Sequence, residues 1–187
     1  MNKALSILES PGSLLAGVAL ITLFLVIILP DQSAKAREYT PEDAAFDTAF
    51  FTPPADVYGK AELYSADGRR SYIRARWTFD LVFPLSYGFF CLTALAFICR
   101  VLFGGRFRWV LIAPLAGVLF DLAENSFVTA VLLTTDTPST VLAWGVSLST
   151  LLKWVFVNLS FIAALIGLSA AVIVLIIRKA RGPINGK

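Results

Sequence analysis

Four apolar runs restrict what this chain can become. They cover residues 13–29, 77–102, 109–133 and 141–177. A helix crosses the hydrocarbon core of a bilayer, about 30 Å thick, with about 20 apolar residues. The first run is at the short end, and counting back to Ile7 makes it comfortable. The last would reach about 55 Å as one helix, too long for a single crossing. It is therefore expected to divide into an interfacial piece over 141–150, with Trp144 and Gly145, and a span over 152–177. The composition agrees: 57% of residues are hydrophobic and 16% charged. With a mean hydropathy of +0.75, this lies outside the usual range for soluble domains. The expected fold is all-α, an integral membrane four-helix bundle forming one domain. Its spans cover about 8–29, 77–102, 108–133 and 152–177.

The first run has a rival reading as a signal peptide, with Ala34-Lys35-Ala36 as a cleavage site. The run exceeds a typical signal h-region, and Lys3 is a thin basic flank. A retained first helix is expected.

Residues 30–76 are too long for a bare loop. They hold eight acids (Asp31, Glu38, Glu42, Asp43, Asp47, Asp56, Glu62, Asp67) and seven bases (Lys35, Arg37, Lys60, Arg69, Arg70, Arg74, Arg76). Pro30 ends the first helix in this reading. Thr40-Pro41-Glu42-Asp43 reads as a helix start, and Ala45, Phe46, Ala49 and Phe50 repeat at helical spacing. A second short helix is expected over 55–64 and a turn at Asp67-Gly68. Such short amphipathic helices suit a membrane surface or the cap of a bundle.

Orientation follows from Lys and Arg in short loops. Arg100, Arg106 and Arg108 surround Gly104-Gly105, and Arg178, Lys179, Arg181 and Lys187 close the chain, whereas 134–140 has no base. Both termini and the Gly104 turn are expected in the cytoplasm, with 30–76 outside.

Polar residues within the spans carry the functional argument. A charge at membrane depth costs several kcal/mol, so it must face protein or water. Asp121, Glu124 and Asn125 stand at i, i+3 and i+4 and share one helical face. Counted from Arg108, Asp121 lies about 20 Å along its helix and Glu124 about 24 Å. Asp80, Tyr87, Lys153 and Asn158 fall in the same slab, with Arg70, Arg74 and Arg76 just above. A polar pocket in the outer half of the membrane is the expected outcome. In the structural reading the acids pair with Arg74, Arg76 or Lys153, and Asn125 bridges helices as polar glue. The carboxylates are expected to pair with Arg74 or Arg70 before Lys153. In the chemical reading, Asp121 and Glu124 form an acid/base pair.

Other chemistries find little support. His is absent, which removes the commonest zinc ligand and the commonest general base. Ser126 and Ser160 have no Gly-x-Ser-x-Gly setting. Acids without His could hold Mg²⁺, but no acid-rich repeat favours it, and no metal or other cofactor is expected. Cys91 and Cys99 read as small core hydrophobes. No basic, aromatic-interleaved surface suits nucleic acid. Ala163, Gly167 and Ala171 form a small-residue stripe suited to close helix packing, including with a second copy or a partner membrane protein.

Three segments carry a resemblance: Gly68-Arg69-Arg70-Ser71-Tyr72, Asp80-Leu81-Val82-Phe83-Pro84-Leu85-Ser86-Tyr87 and Asp121-Leu122-Ala123-Glu124-Asn125. The chain resembles an uncharacterised family of small bacterial four-helix integral membrane proteins with G-R-x-x-Y, D-x-x-F-P-x-x-Y and D-x-x-E-N motifs. The resemblance implies a bacterial inner-membrane protein with an extracytoplasmic segment between its first two helices. It supplies no activity.

The first functional expectation is binding of a lipid, a small hydrophobic molecule or a partner helix at the polar outer-half site. The alternatives are an intramembrane enzyme using Asp121 and Glu124 on a lipid-like substrate, and a proton-coupled carrier.

Overall fold

The computed structural model describes residues 3–180. Arg181 and Lys187, part of the basic C-terminal tail, lie outside the described residues. Among the described residues the chain is all-α, with no strand. Its helices are α1 (Lys3–Leu8), α2 (Pro11–Ala36), α3 (Pro54–Glu62), α4 (Ala66–Arg76), α5 (Phe79–Phe103), α6 (Ile112–Leu133) and α7 (Thr140–Ala180). Four stretches are long and apolar enough to cross a membrane: Pro11–Ala36, Ala66–Phe103, Arg108–Leu133 and Thr140–Ala180.

The ends of these helices follow local chemistry. Ser10 caps α2, its hydroxyl accepting the Ser13 N–H at 3.1 Å, and Pro11 takes the first helical position. Gly104 and Gly105 end α5 with φ of +61° and +83°. That conformation is cheap for glycine, and it lets the Gly105 N–H close back on the Cys99 carbonyl at 2.8 Å.

Successive spans run antiparallel. Phe24 of α2 stacks on Phe79 of α5, while Gly17 meets Phe90 and Thr93 further along. Gly88 of α5 faces Val118 of α6, and Phe120 of α6 stacks on Phe156 of α7. Glu9, just before α2, is buried and binds Arg108 through two hydrogen bonds of 3.0 and 2.6 Å. Arg100 donates to the Glu9 carbonyl at 3.2 Å. The entry to α2 is thereby held at the Gly104 turn. Two of the three stripe residues on α7 lie against their own chain, Gly167 on Ile98 and Ala171 fully buried, whereas Ala163 is exposed.

Four expectations need correction. Pro30 does not end the first helix, which continues to Ala36. The residues before it, Phe24–Ile28, adopt a π-helix. Proline lacks an N–H and crowds the carbonyl four residues back, and the wider π turn relieves that crowding.

Residues 41–50 form turns and bends rather than a helix. Asp43 has φ +60°, outside the helical region. Side chains replace the missing helical hydrogen bonds. Tyr64 donates to the Ala44 carbonyl, Lys60 donates to the Ala45 carbonyl, and the Phe46 N–H donates to the Tyr72 hydroxyl. Phe46 is fully buried among Tyr64 and Tyr72, whereas Phe50 is exposed, so the helical spacing of the two is not realised.

Asp67-Gly68 is no isolated turn; it lies in the first turn of α4, capped by Ser65. Finally, α7 does not divide at Thr150. It is one helix of 41 residues. Its first turns are covered by protein: Ala143 and Val146 join the core with Val57, Tyr58 and Ala61 of α3, and Ser147 donates to the Thr52 carbonyl at 2.6 Å. The excess length is buried under the 39–64 segment, which leaves no reason for a break.

Candidate functional site

The site forms where the 39–76 segment meets α5, α6 and α7. It begins with a break. Helix α4 stops at Arg76, and Thr78 takes φ −119° and ψ −82° before α5 starts. This break turns the Arg76 side chain inward, where it is 2% exposed. Its guanidinium donates to Asn125 Oδ1 at 3.0 Å and to the Tyr72 hydroxyl at 2.6 Å. It also lies over the Tyr72 ring, 4.9 Å from the centroid. Three carboxylates surround it at ion-pair distance: Asp80 at 3.5 Å, Asp47 at 3.6 Å and Glu124 at 3.9 Å. A planar fork that keeps its charge suits such a position.

Asn125 ties the break to α6. Its amide donates to the Arg76 carbonyl at 3.3 Å and to the Asp80 carbonyl at 3.1 Å. The Asp80 carbonyl is free to accept because Pro84, four residues on, has no N–H. The proline and the asparagine thus form a matched pair across two helices.

Glu124 is fully buried. Thr150 donates to its Oε1 at 2.7 Å, and Lys153 donates to its Oε2. The Lys153 ammonium also stands over the Trp154 ring at 5.3 Å. Asp121 accepts from the Tyr87 hydroxyl at 2.8 Å. Each of these acids has met the condition for burial, a partner or a hydrogen bond.

At the rim, burial works to raise the Asp47 carboxyl. The charges of Arg76 and Lys153 outweigh it and hold Asp47 below the ordinary carboxylate range. Burial pushes the Tyr64 hydroxyl upward; burial, aided by Asp80, does the same to Tyr39. Both hydroxyls therefore stay neutral, and that of Tyr64 donates to the Ala44 carbonyl.

Two cavities adjoin the cluster and share Asp47, Asp80 and Phe83. One, of about 440 Å³, lies under the 39–48 segment. The other, of about 460 Å³, is bounded by Leu25 and Leu29 of α2, Phe83, Pro84 and Tyr87 of α5, and Trp154, Val157 and Phe161 of α7. Arg76, Asp121 and Lys153 add further charge to its wall. Helix α2 packs chiefly on α5, which leaves a fissure between α2 and α7. Among the described residues no group of three or more Cys, Asp or Glu is arranged to hold a metal ion.

Of the residues singled out from the sequence, Asp80, Tyr87, Asp121, Glu124, Asn125 and Lys153 come together here. Asn158 lines the larger cavity but is exposed, and its amide donates to the Trp154 carbonyl at 2.7 Å. Arg70 and Arg74 do not belong. Arg70 is 82% exposed and faces Asp67 at 3.5 Å, and Arg74 is exposed. The pairing expectation is corrected: the carboxylates meet Arg76 and Lys153, because the break after α4 points Arg76 inward and the other two arginines out. Sequence reasoning misses Asp47, which lies in an irregular segment with no periodicity to aim it. For Arg76 the one usable signal is its spacing, four residues before Asp80.

No family model matches the chain, and no curated protein or solved structure matches it at a significant level.

Proposed function

We propose that this chain is an integral membrane four-helix bundle that binds an amphiphile, a lipid or small hydrophobic molecule, at a polar site in the outer half of a bacterial inner membrane. The 30–76 segment stands on the extracytoplasmic side and caps the site. Both termini and the Gly104 turn are cytoplasmic, following the basic residues around that turn and after α7. What supports a single site is that Tyr72, Asp80, Tyr87, Asp121, Glu124 and Asn125, from three separate segments, meet in one cluster.

The observation that carries the proposal is the cavity of about 460 Å³, which sets a charged wall against apolar and aromatic ones. Ligand cavities span about 300–1,000 Å³ and combine apolar walls with a few convergent polar groups. The fissure between α2 and α7 gives such a molecule a route from the lipid.

Binding is favoured over acid/base chemistry by the state of Glu124. Both of its oxygens are engaged, by Thr150 and Lys153, so it stands as a scaffold for Lys153 and not as a free partner for Asp121. A partner helix is less favoured, since Gly167 and Ala171 already pack within the chain.

The test is quenching of Trp154 fluorescence by brominated lipid in vesicles, in a protein whose other tryptophans, Trp77, Trp109 and Trp144, are replaced by Phe. Trp154 borders the cavity, so a brominated chain seated there is expected to quench it. Val157→Phe in the same background fills the cavity without adding an indole, and quenching is expected to fall. Equal quenching in both proteins, or none in either, would overturn the proposal.

A further inference from the structure

We propose that the occupant of this cavity carries an ammonium head with an oxygen acceptor beside it; the inference rests on the amphiphile reading above and names the class of amphiphile. Charge is the first argument. Asp47, Asp80, Asp121 and Glu124 gather around two cations, Arg76 and Lys153. Lys60 also acts on Asp47, so four carboxyl groups face three cations, and one positive charge is wanting when all are ionised. Arg37 and Glu42, on the wall of the smaller cavity, offset one another. A negative head entering this wall would meet surplus carboxylate, whereas an ammonium would complete it.

Geometry sharpens the argument. Glu124 is closed off by Thr150 and Lys153, but Asp47, Asp80 and Asp121 all border the larger cavity. Asp121 has a neutral hydroxyl, that of Tyr87, as its hydrogen-bond partner. The rings of Phe83, Tyr87, Trp154 and Phe161 line the same space. Aromatic faces attract ammonium groups, and more strongly where water is excluded.

A second, independent observation concerns donors. Arg76 is 2% exposed and belongs to the cavity wall, yet its Nε–H has no hydrogen-bond acceptor. The contact of that nitrogen with Asp80 Oδ2, 3.5 Å, is an ion pair too long for a good hydrogen bond. The buried Nε1–H of Trp154, on the α7 wall, also lacks an acceptor. Buried donors without acceptors are costly. An oxygen next to the ammonium would satisfy one of them. The shared chemistry is that of a protonated amino alcohol or a phosphoethanolamine head.

The experiment is calorimetric titration of the full chain in dodecyl maltoside with three probes of equal chain length: N-dodecylethanolamine, the neutral dodecyl glycerol ether and dodecanoate. The amine is expected to bind about tenfold tighter than the neutral ether, and dodecanoate more weakly than either. Asp121→Asn keeps an oxygen for Tyr87 and is expected to weaken the amine about tenfold and the ether by much less. Asp47→Asn, in the half-exposed rim, gives a second variant of the same kind should Asp121→Asn fail to fold. Competition by short-chain phosphatidylethanolamine, but not phosphatidylglycerol, would assign the head to a membrane lipid; competition by neither would assign it to a free amine. Equal binding of amine and ether, or preference for dodecanoate, would overturn the cationic head and leave the amphiphile reading standing. Binding of none of the three would overturn both.

Discussion

Arg76 is the residue on which the site depends. It holds Asn125 and Tyr72 by hydrogen bonds and faces three carboxylates, all within a buried setting. Removing one member of a buried charge network leaves the others uncompensated, at a cost of about 3–5 kcal/mol. Arg76→Ala should therefore lower the melting temperature in detergent sharply. Arg70→Ala, at an exposed position, should change stability by no more than about 0.5 kcal/mol. Equal effects of the two substitutions would contradict the placement. Asp47 adds a pH dependence. Its folded-state pKa is depressed, so its contribution is present above the unfolded value, about 3.9, and is lost as pH falls through the folded one. The parent should lose thermal stability on acidification below about pH 4, and Asp47→Asn should flatten that limb of the profile. The choice among Arg70, Arg74 and Arg76 is not legible in the sequence. Helical spacing shows that they differ in direction, but only the break at Thr78 decides which one turns inward. Asp121, Glu124 and Asn125 are legible, because one helix places all three on one face.

At the scale of elements, the structure shows where periodicity fails. The spacing of Phe46 and Phe50 fits a helix, yet tyrosine hydroxyls and a lysine compete successfully for the backbone groups of 44–46. Those competitors come from α3, α4 and the residues between them, so no local pattern reveals them. Pro30 fails as a stop signal for a related reason: the π-helical turns before it absorb the crowding. The same π segment presents Leu25 to the larger cavity, with Leu29 just after it. Helix α2 is positioned by close contact at Gly17, where an added Cβ would lie 2.8 Å from Thr93 Oγ1 and 3.1 Å from the Phe90 Cα. The second of these atoms is backbone and cannot swing away. Gly17→Leu should push α2 off α5 and cost about 1–3 kcal/mol, the usual range for overpacking. Thermal unfolding in detergent measures this, and an unchanged melting temperature would show that α2 is free to shift.

For the whole molecule, the helices are tied at both ends. Glu9 with Arg108 and Arg100 closes the end that holds the Gly104 turn, and the Arg76 cluster closes the other. The apolar runs foretell four membrane-length helices, since length and hydropathy are properties of the segment alone. The layer formed by 39–64 is less legible, because its packing on α6 and the start of α7 depends on residues far apart in the chain, such as Phe46, Val128 and Val146. The proposed orientation is tested by single-cysteine labelling in intact cells. Asp56→Cys, exposed on α3, should react with an impermeant maleimide, and Gly105→Cys should not. The native Cys91 and Cys99 are buried, which keeps the background low. The reverse pattern would invert the topology without changing the internal packing.

If the charged cluster forms one wall of a cavity that an amphiphile occupies, native mass spectrometry of the protein released from its own membrane should detect the occupant. The parent should carry one bound amphiphile that survives removal of detergent, and Val157→Phe, which fills the cavity, should lose it while still unfolding cooperatively, at a lower temperature because the occupant's stabilisation is gone. A parent without a bound species would show the cavity to be empty, and an adduct retained equally by Val157→Phe would place the amphiphile elsewhere.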